Sequence, residues 1–380
     1  MRIAMVAGEA SGDLLAAHLI EALRPHFPDA EFVGIGGPRM QAAGFKAWWP
    51  FETLAVMGYV DAIKRLPELL RIRSGLLKRL KENPPDIFIG VDAPDFNLGI
   101  ERRLRGAGIK TVHYVSPSIW AWRGRRVHKI GRAANHVLCL FPFEPELYTR
   151  HGYAASFVGH PLADVFPLES RKAQTRELLA LNGEDTPVVA IMPGSREGEV
   201  RRLAPICVET IKLLAGQRPD IRFLVPLITR VTRDIFEEAM YHGQATNLKV
   251  RLQFGHAHEA MEAADAVVVA SGTASLEAAL LKCPMVIIYK MGGLSFRFAK
   301  FLSYLPWVGL PNILARESIV PELLQDAAKP ESIATELLKW LDDKEARAKV
   351  LSRFDQIHLS LRQGNAQKAA GIVCSLLGRA

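Results

Sequence analysis

The sequence predicts two Rossmann-like α/β domains in tandem, facing one cleft. Short apolar runs alternate with amphipathic stretches, this alternation occurs in two separate series, and a polar, helix-prone stretch at about residues 162–186 lies between them. Alternating strands and helices are typical of βαβ units, which build parallel sheets with helices on both faces. Because such domains bind ligands beyond the carboxyl ends of their strands, we expect the ligand between the two domains.

The first series of predicted strands lies in residues 1–165, in the runs RIAMVAG, EFVGIGG, DIFIGVD, IKTVHYV and HVLCLF. The second lies in residues 166–345, in PVVAIMPGS, IRFLVPLI, LKVRLQF, AVVVASG and PMVIIYK. Residues 346–380 have a helical pattern and are predicted to form a carboxyl-terminal helical segment that can pack back on the rest of the chain.

Composition narrows the class of partner. The 380-residue chain is 49% hydrophobic, enough for two buried cores, and its formal charge of +8 favours an anionic partner: nucleic acid, anionic lipid or a phosphorylated substrate. The four cysteines, which match no metal-binding spacing, are expected to be small buried side chains without disulfides or zinc; they are Cys139, Cys207, Cys283 and Cys374.

The sequence pattern predicts neither a signal peptide nor a membrane-spanning helix. The start, MRIAMVAGEASGD, has no small-residue cleavage site after its short apolar run, so we expect no signal peptide and a cytoplasmic location. No stretch of about 18 uninterrupted apolar residues occurs, so we expect membrane contact to be peripheral.

Two loops of the first series carry polar residues where predicted strands end. Gly8–Asp13 opens a helix and can receive an anion or sugar hydroxyls, although a tight turn with a helix cap explains it equally well, and the spacing is not the dinucleotide fingerprint. Asp92, Asp95 and Asn97 follow the DIFIGVD strand. A carboxylate there can accept a proton from an attacking hydroxyl, and Asp95 can instead cap the next helix.

The segment that follows, SPSIWAWR, combines Trp120 and Trp122 with cations that include Arg123 and Arg126. Aromatic and cationic side chains together can hold bases or phosphates, whereas tryptophans in a core and cations on a solvated helix face are the plainer alternative. No nucleic-acid module accompanies them, so a phosphorylated lipid or sugar is favoured over DNA.

Two further loops of the second series resemble anion sites at helix starts. Gly194, Ser195 and Arg196 leave the PVVAIM strand, and Ser271-Gly272-Thr273 leaves the AVVVA strand, with Glu277 one turn into the next helix. Helix starts and arginine can hold a diphosphate, and a glutamate at this position can accept ribose hydroxyls, unless it is an ordinary solvated acid. Together they favour a nucleotide diphosphate sugar.

In combination, these segments resemble the bacterial lipid-A-disaccharide synthases along nearly the whole chain. The matching blocks are VAGEASGD, FVGIGGPRMQAAG, LAVMGYVDAIKRL, VDAPDFN, HYVSPSIWAWR, FVGHPLAD, MPGSREGEV, ASGTASLEAAL, KCPMVIIYK and LPNILARESIVPELLQ.

The resemblance implies a glycosyltransferase B-type fold and an inverting transfer of 2,3-diacylglucosamine. The donor is UDP-2,3-diacylglucosamine, the acceptor is 2,3-diacylglucosamine 1-phosphate (lipid X), and the products are lipid A disaccharide 1-phosphate and UDP. It implies no cofactor and no metal ion, no nucleic acid partner, a peripheral position at the inner leaflet of the cytoplasmic membrane, and a homodimer in which carboxyl-terminal segments can be exchanged.

The resemblance also assigns roles to residues. Asp92 matches the general base, with Glu9, Ser11 and Asp95 on the acceptor side. The implied nucleotide-binding residues are Ser195, Arg196, Ser271, Thr273, Glu277, Asn312, Glu322 and Gln325.

A membrane-contact face is predicted in residues 60–81, read as a helical stretch broken at Pro67. Its apolar residues recur every three or four positions among many cations, which suits a helix lying on an anionic leaflet, although the same stripe could pack on the sheet. They are Val60, Ile63, Leu66, Leu69 and Leu70.

Three alternatives remain beside this function. Two are UDP-sugar enzymes of the same fold, a lipid-carrier N-acetylglucosaminyltransferase and a UDP-sugar epimerase, and the third is a basic, non-catalytic nucleic-acid-binding protein.

Overall fold

The structure is a computed structural model that describes residues 1–54, 59–122, 124–181, 186–291 and 305–379, with only the backbone at 59–65, 121 and 122. The chain forms two compact units. The first comprises Met1–Asp164 with Leu361–Ala380, and the second comprises Val165–Ser360.

The first unit contains a seven-stranded parallel sheet in the order β3-β2-β1-β4-β5-β6-β7. Its strands are β1 (Arg2–Ala7), β2 (Glu31–Gly36), β3 (Phe45–Pro50), β4 (Ile87–Val91), β5 (Lys110–Tyr114), β6 (His136–Cys139) and β7 (Ala155–Phe157). Its helices are α1 (Ala10–Leu23), α2 (Pro38–Ala42), α3 (Tyr59–Glu82), α4 (Pro94–Gly106), α5 (Ile119–Trp122), α6 (Val127–Ala133), α7 (Glu144–Thr149) and α8 (Pro161–Val165).

The second unit contains a six-stranded parallel sheet in the order β10-β9-β8-β11-β12-β13. Its strands are β8 (Val188–Met192), β9 (Arg222–Leu227), β10 (Val250–Phe254), β11 (Ala266–Ala270), β12 (Met285–Tyr289) and β13 (Glu322–Leu324). The helices are α9 (Lys172–Leu178), α10 (Glu197–Gln217), α11 (Arg230–His242), α12 (Ala257–Ala263), α13 (Thr273–Leu280), α14 (Leu310–Ala315), α15 (Pro330–Asp342) and α16 (Lys344–Leu361). The predicted class of two tandem α/β domains with parallel sheets is confirmed.

Both faces of the first sheet are covered, as side-chain alternation along β1 shows. Ile3 and Met5 pack in a core with α1, whereas Ala4 and Val6 pack in a second core with α3 and α4. Successive side chains of a strand point to opposite faces, so a strand buried on both faces reads as a continuous apolar run.

The carboxyl-terminal helices are divided between the two units. Residues up to Ser360 cluster with the second unit, and a final helix, α17 (Asn365–Leu376), belongs to the first unit. Ala369, Ala370 and Val373 of α17 are buried in the core that contains α1. Burial of this apolar face stabilises the packing of the last helix on the first unit.

Helix α3 continues through Pro67, so the break predicted at this proline is wrong. Proline removes one backbone donor and usually kinks or ends a helix. Here the second half of α3 is anchored, because Ile72, Leu76 and Leu80 are buried in the core beneath the sheet. This packing stabilises the helix on the carboxyl side of the proline.

The amino-terminal part of α3 lies outside that core. Leu66 and Leu70 are 51% and 42% exposed, and Leu69 is partly buried. The side chains of Val60 and Ile63 lie outside the described residues. No described helix is long and apolar enough to span a membrane. The four cysteines are buried and free, as predicted.

Candidate active site

The acidic loop after β4 is held in an uncommon backbone conformation. Asp92 and Ala93 have φ angles of 52° and 42°, in the left-handed region that residues other than glycine rarely occupy. The Asp92 N–H donates to the Tyr114 carbonyl at 2.8 Å, and its carbonyl accepts from the Asn97 Nδ2 at 2.8 Å. These bonds fix the backbone, and the partly buried carboxylate has no hydrogen bond or ion pair within the described residues.

Glu9 and Ser11 lie next to this loop because β1 pairs with β4, with Ala7 opposite Val91. The two loops approach closely: a Cβ on Gly8 would stand 3.1 Å from the Ala93 Cβ. Both Glu9 and Ser11 are exposed. The strand order reverses between β1 and β4, and ligands of such sheets bind in the crevice beyond the strands at this point.

The end of the Gly8–Asp13 loop acts as a cap rather than as a ligand site. Asp13 is buried and accepts hydrogen bonds from the backbone N–H groups of Gly37, Arg39 and Met40 at 2.7, 3.0 and 3.2 Å. The carboxylate thereby satisfies the free donors at the start of α2. Asp13 thus caps α2 and not α1, the helix that its own loop opens; the α1 N-cap residue, Glu9, makes no capping side-chain hydrogen bond with the described residues. Glu9 and Ser11 remain open to a ligand.

Asp95 has a different environment from Asp92. Its side chain is 83% exposed, and its Oδ1 pairs with the Arg126 guanidinium at 2.6 Å. The bond ties the first turn of α4 to the segment after α5 and gives Arg126 a structural partner. Arg125, Lys129 and Arg132 are exposed, in agreement with a solvated cationic face.

Beneath the Asp92 loop lies a buried polar layer that the sequence did not reveal. Glu101 and His113 are fully buried and joined by a 2.7 Å hydrogen bond, and burial raises the pKa of the Glu101 carboxyl. Three buried atoms of this layer have no hydrogen-bond partner among the described residues: Asn97 Oδ1, Glu101 Oε2 and His113 Nε2. In the sequence, Glu101 is an acidic residue in an amphipathic helical pattern, and this pattern normally predicts a solvated side chain.

A second unpredicted acid, Glu144, orders the segment that contains Trp120. It is buried and accepts hydrogen bonds from the Trp120 Nε1 at 3.2 Å and from the Phe141 N–H at 3.0 Å. Burial raises its pKa to about 8, against these hydrogen bonds, which lower it. Trp120 also packs edge-on against Phe141 and Phe143, so its role in this structure is that of a packed aromatic side chain.

In the second unit, two glycine-containing turns lie side by side. One joins β8 to α10 and the other joins β11 to α13, and these strands are direct neighbours, with Met192 opposite Val269. The strand order β10-β9-β8-β11-β12-β13 reverses between β8 and β11. Both predicted anion sites are thus at the reversal point of the second sheet, where ligands of open α/β sheets bind.

The turn before α10 requires glycine at position 194. Its φ is +116°, and a Cβ there would come within 2.8 Å of Glu199. The Glu199 carboxylate folds back over the turn and accepts from the Arg196 N–H at 3.4 Å. Ser195 and Arg196 are exposed, and their side chains are not engaged by other described residues.

The turn before α13 presents Ser271 and Thr273, and Glu277 follows in the helix. Gly272 has a φ of +143°, in a region that only glycine adopts readily. The Glu277 Oε2 lies 3.4 Å from the His258 Nε2, an ion pair when the imidazole is protonated, and this carboxylate raises the pKa of His258. His258, in the short helix α12, is therefore a further candidate site residue, and the sequence analysis did not identify it.

The three remaining predicted residues are engaged in internal contacts. Asn312 is fully buried, donates to the Val320 carbonyl and Glu322, and accepts from two backbone N–H groups. Glu322 also accepts from the N–H groups of Val308 and Gly309. The orientation of the Gln325 amide is assigned from its hydrogen bonds: its nitrogen donates to the Met291 carbonyl at 3.1 Å, and its oxygen accepts from the Met291 N–H at 3.2 Å. These side chains hold the loops around the carboxyl edge of the second sheet.

Residues 3–375 match the sequence profile described as lipid-A-disaccharide synthetase. Two curated relatives, both called lipid-A-disaccharide synthase, are similar along their full length. The one from Aromatoleum aromaticum is 60% identical, with 100% of this chain and 96% of the relative covered. The one from Dechloromonas aromatica is 56% identical, with 99% of each covered.

Solved structures with the same fold are much more distant in sequence. UDP-GlcNAc 2-epimerase from Neisseria meningitidis, bound to UDP-GlcNAc, has a TM-score of 0.69 at 15% identity and covers 100% of both chains. MurG from Acinetobacter baumannii has a TM-score of 0.58 at 14% identity, with 98% and 99% covered. At these identities the likeness shows a common fold, the glycosyltransferase B-type fold.

Proposed function

Since the chain belongs to the lipid-A-disaccharide synthase family, and is therefore a glycosyltransferase of lipid A biosynthesis, we propose its substrates and mechanism. It transfers 2,3-diacylglucosamine from UDP-2,3-diacylglucosamine to the 6-hydroxyl of lipid X, and UDP leaves. The observation that carries this proposal is the Asp92 carboxylate at the strand-order reversal of the first sheet, unengaged by other described residues while its backbone is fixed.

Asp92 acts as the general base in this proposal. A carboxylate on a fixed backbone can accept the proton of the acceptor hydroxyl while that oxygen attacks the anomeric carbon from the side opposite UDP. The carbon–oxygen bond to UDP breaks as the new bond forms, so the configuration inverts. Asp95 is the weaker candidate, because its carboxylate is paired with Arg126. Glu9 and Ser11 lie beside Asp92 and contact the acceptor sugar.

The nucleotide binds at the two adjacent turns of the second unit. The free N–H groups at the start of α10, together with Ser195 and the exposed Arg196, stabilise the diphosphate. Ser271 and Thr273 supply hydroxyls beside it, and Glu277 accepts the ribose hydroxyls while His258 orients its carboxylate. Asn312, Glu322 and Gln325 act indirectly, because their described hydrogen bonds hold the surrounding backbone.

Peripheral binding to the inner leaflet is part of the proposal. It is supported by the exposed Leu66 and Leu70 on α3, next to exposed cations of the same helix. Apolar side chains flanked by lysine and arginine favour a helix lying in the interface of an anionic membrane. The homodimer stays a prediction; in this chain α17 packs on α1 of the same first unit.

The decisive experiment incubates the purified protein with UDP-2,3-diacylglucosamine and lipid X and measures UDP and disaccharide by mass spectrometry. Parallel reactions contain UDP-GlcNAc, alone or with a lipid-carrier acceptor. UDP release that requires both acylated sugars supports the proposal. Epimerisation of UDP-GlcNAc, or transfer to the lipid carrier alone, would replace it with one of the related activities.

A further inference from the structure

Asn97, near the start of α4, is a buried amide at the place where β1 and β4 end. Its Nδ2 lies 2.8 Å from the Asp92 carbonyl oxygen and 3.4 Å from the carbonyl oxygens of Val6 in β1 and Val91 in β4. These oxygens belong to two paired strands and to the loop that carries the proposed base. One amide nitrogen therefore contacts both strand ends at the strand-order reversal of the first sheet.

The donor end of the Asn97 amide accounts for its burial. Its Oδ1 is buried and has no hydrogen-bond partner in the part of the chain that the structure describes. Burying an amide acceptor without a partner is unfavourable, so the contacts of Nδ2 with the carbonyl oxygens must compensate for it. An apolar side chain at this position would remove the donor from the Asp92 carbonyl.

The Asp92 loop requires such a contact, because its backbone is in an unfavourable region. Asp92 and Ala93 have φ angles of 52° and 42°, and residues other than glycine stay in this left-handed region where surrounding contacts hold them. Asn97 bonds to both residues: its side chain donates to the Asp92 carbonyl, and its backbone N–H donates to the Ala93 carbonyl at 3.0 Å. The direction in which the Asp92 carboxylate leaves the loop therefore depends on Asn97.

The packing of α4 on the sheet fixes Asn97 in turn. Gly90 of β4 has no side chain, and a Cβ there would stand 2.9 Å from the Asn97 Cβ and would collide with the Glu101 Oε1. Glu101, one turn further along α4, bonds to His113, which lies opposite Gly90 on β5. The buried polar layer thus holds α4 on these two strands, and with it the position of Asn97.

We infer that Asn97 is a positioning residue that sets the direction of the Asp92 carboxylate towards the acceptor hydroxyl. It acts through the Asp92 backbone and takes no part in proton transfer. The inference rests on the proposed function, in which Asp92 is the base, and adds the residue that orients this base. A general base is effective only within hydrogen-bond distance of the proton that it accepts, so a small displacement of the loop lowers the rate.

The test is a double-mutant cycle between Asn97 and Asp92. Asn97→Leu keeps nearly the same volume and removes the donor, and we expect kcat to fall by about tenfold or more while Kd for UDP changes less than about twofold. In the Asp92→Asn background there is no base to orient, so the same change should lower the remaining kcat by less than about twofold. Equal losses in both backgrounds would mean that Asn97 acts independently of Asp92, and would overturn the inference.

Asn135→Leu is the matched control for a general effect on stability. Asn135 accepts hydrogen bonds from the Thr111 N–H and hydroxyl at 2.9 and 3.1 Å, near the amino ends of β5 and β6 in the same sheet. We expect a lower Tm for this variant, with kcat of the folded protein within about twofold of wild type, because the site is distant from the Asp92 loop. Equal losses of kcat in Asn97→Leu and Asn135→Leu would overturn the positioning role.

Crystal structures of the wild-type protein and the variant provide a readout that does not require turnover. If Asn97→Leu does not fold, Asn97→Asp replaces it at pH 8, since its carboxylate has the same shape and donates no hydrogen bond. Absence of transfer by the wild-type protein would overturn the proposed reaction alone, and departure of Asp92 from its left-handed φ in the variant would still support the role of Asn97. Normal transfer by both proteins, with an unchanged Asp92 backbone, overturns the inference and leaves the proposed function intact.

Discussion

At the scale of single residues, surroundings divide similar side chains into different roles. Asp92 and Asp95 are three positions apart in one motif, yet only Asp95 is paired with an arginine among the described residues. Asp92 instead has its backbone fixed by Tyr114 and Asn97. Two chemically similar acids therefore have different roles: Asp92 is the proposed base, and Asp95 forms a surface ion pair. The same distinction separates Glu277, beside His258, from Glu322, which bonds to backbone N–H groups.

Asp92→Asn should lower kcat by on the order of a hundredfold or more, because the amide has nearly the same volume and no proton-accepting carboxylate. Affinity for UDP should stay within a small factor of wild type. Steady-state UDP release and calorimetry measure the two quantities. Asp95→Asn is the matched control and should keep most of the activity. If Asp92→Asn is active and Asp95→Asn is not, the roles of the two acids are reversed.

Arg196→Ala and Glu277→Ala should each weaken UDP binding by about 1 to 3 kcal/mol. The first removes a charge beside the diphosphate, and the second leaves the ribose hydroxyls without an acceptor. Calorimetric titration with UDP measures both. Arg201→Ala serves as control, since Arg201 is an exposed residue of α10 paired with Glu197. Unchanged affinity in both test variants would mean that the nucleotide binds away from these helix starts.

Glu144 should make the stability of the protein fall as pH rises. Burial raises its pKa to about 8, above the value of 4.5 for a free side chain. The folded state therefore binds this proton more tightly, so the stabilisation is complete below pH 4.5 and is lost as pH rises towards and through 8. In Glu144→Gln this loss is absent. Thermal unfolding at pH 6 and pH 9 should show a smaller decrease in Tm for the variant than for wild type; equal decreases would contradict the assignment.

At the scale of elements, α3 combines two surfaces in one helix. Its later half contributes Ile72, Leu76, Leu77 and Leu80 to the core, while Leu66 and Leu70 are exposed. A periodic stripe in the sequence does not distinguish these halves, because both have apolar residues every three or four positions. Only the tertiary structure separates the buried second half from the exposed leucines of the first half.

We expect the fourfold serine variant of Ile63, Leu66, Leu69 and Leu70 to sediment less with anionic vesicles and to need less detergent. UDP binding and thermal stability should change little. The pair Leu66→Ser and Leu70→Ser restricts the test to exposed side chains, and Leu76→Ser is the buried counterpart, which should lose several kcal/mol of stability. Comparable destabilisation by the exposed pair would assign the whole stripe to the core.

At the scale of the whole molecule, the chain returns to its first unit at its carboxyl-terminal end. The Asp164 carboxylate accepts from the N–H groups of Gly364 and Asn365 at 3.0 and 2.6 Å, and so caps α17. Gly159, with a φ of +91°, lies where a Cβ would meet the Leu361 carbonyl at 2.8 Å. The FVGHPLAD block is therefore explained by the docking of this last segment.

Asp164→Ala should destabilise the first unit by about 1 to 2 kcal/mol, the usual effect of losing a helix cap. Urea unfolding followed by tryptophan fluorescence measures this loss, and UDP affinity should be unchanged because the nucleotide is assigned to the second unit. Glu169→Ala, at an exposed position shortly after α8, is the control. An unaltered unfolding midpoint in Asp164→Ala would show that the cap is dispensable for docking α17.

The sequence by itself determined the two parallel-sheet units, the loops at their strand ends and the family. Strand and helix periodicity are local properties, and the residues of the Asp92, Arg196 and Ser271 loops are contiguous in the chain. Only the tertiary structure decided which of these groups are engaged. These contacts join residues that are separated along the chain: the Asp95–Arg126 pair, the Glu101–His113 layer, the hydrogen bonds of Asn312, and the packing of α17 on the first unit. Such contacts depend on how strands pair and helices pack. A single sequence contains both residues of a contact but does not show that they lie close together in the fold.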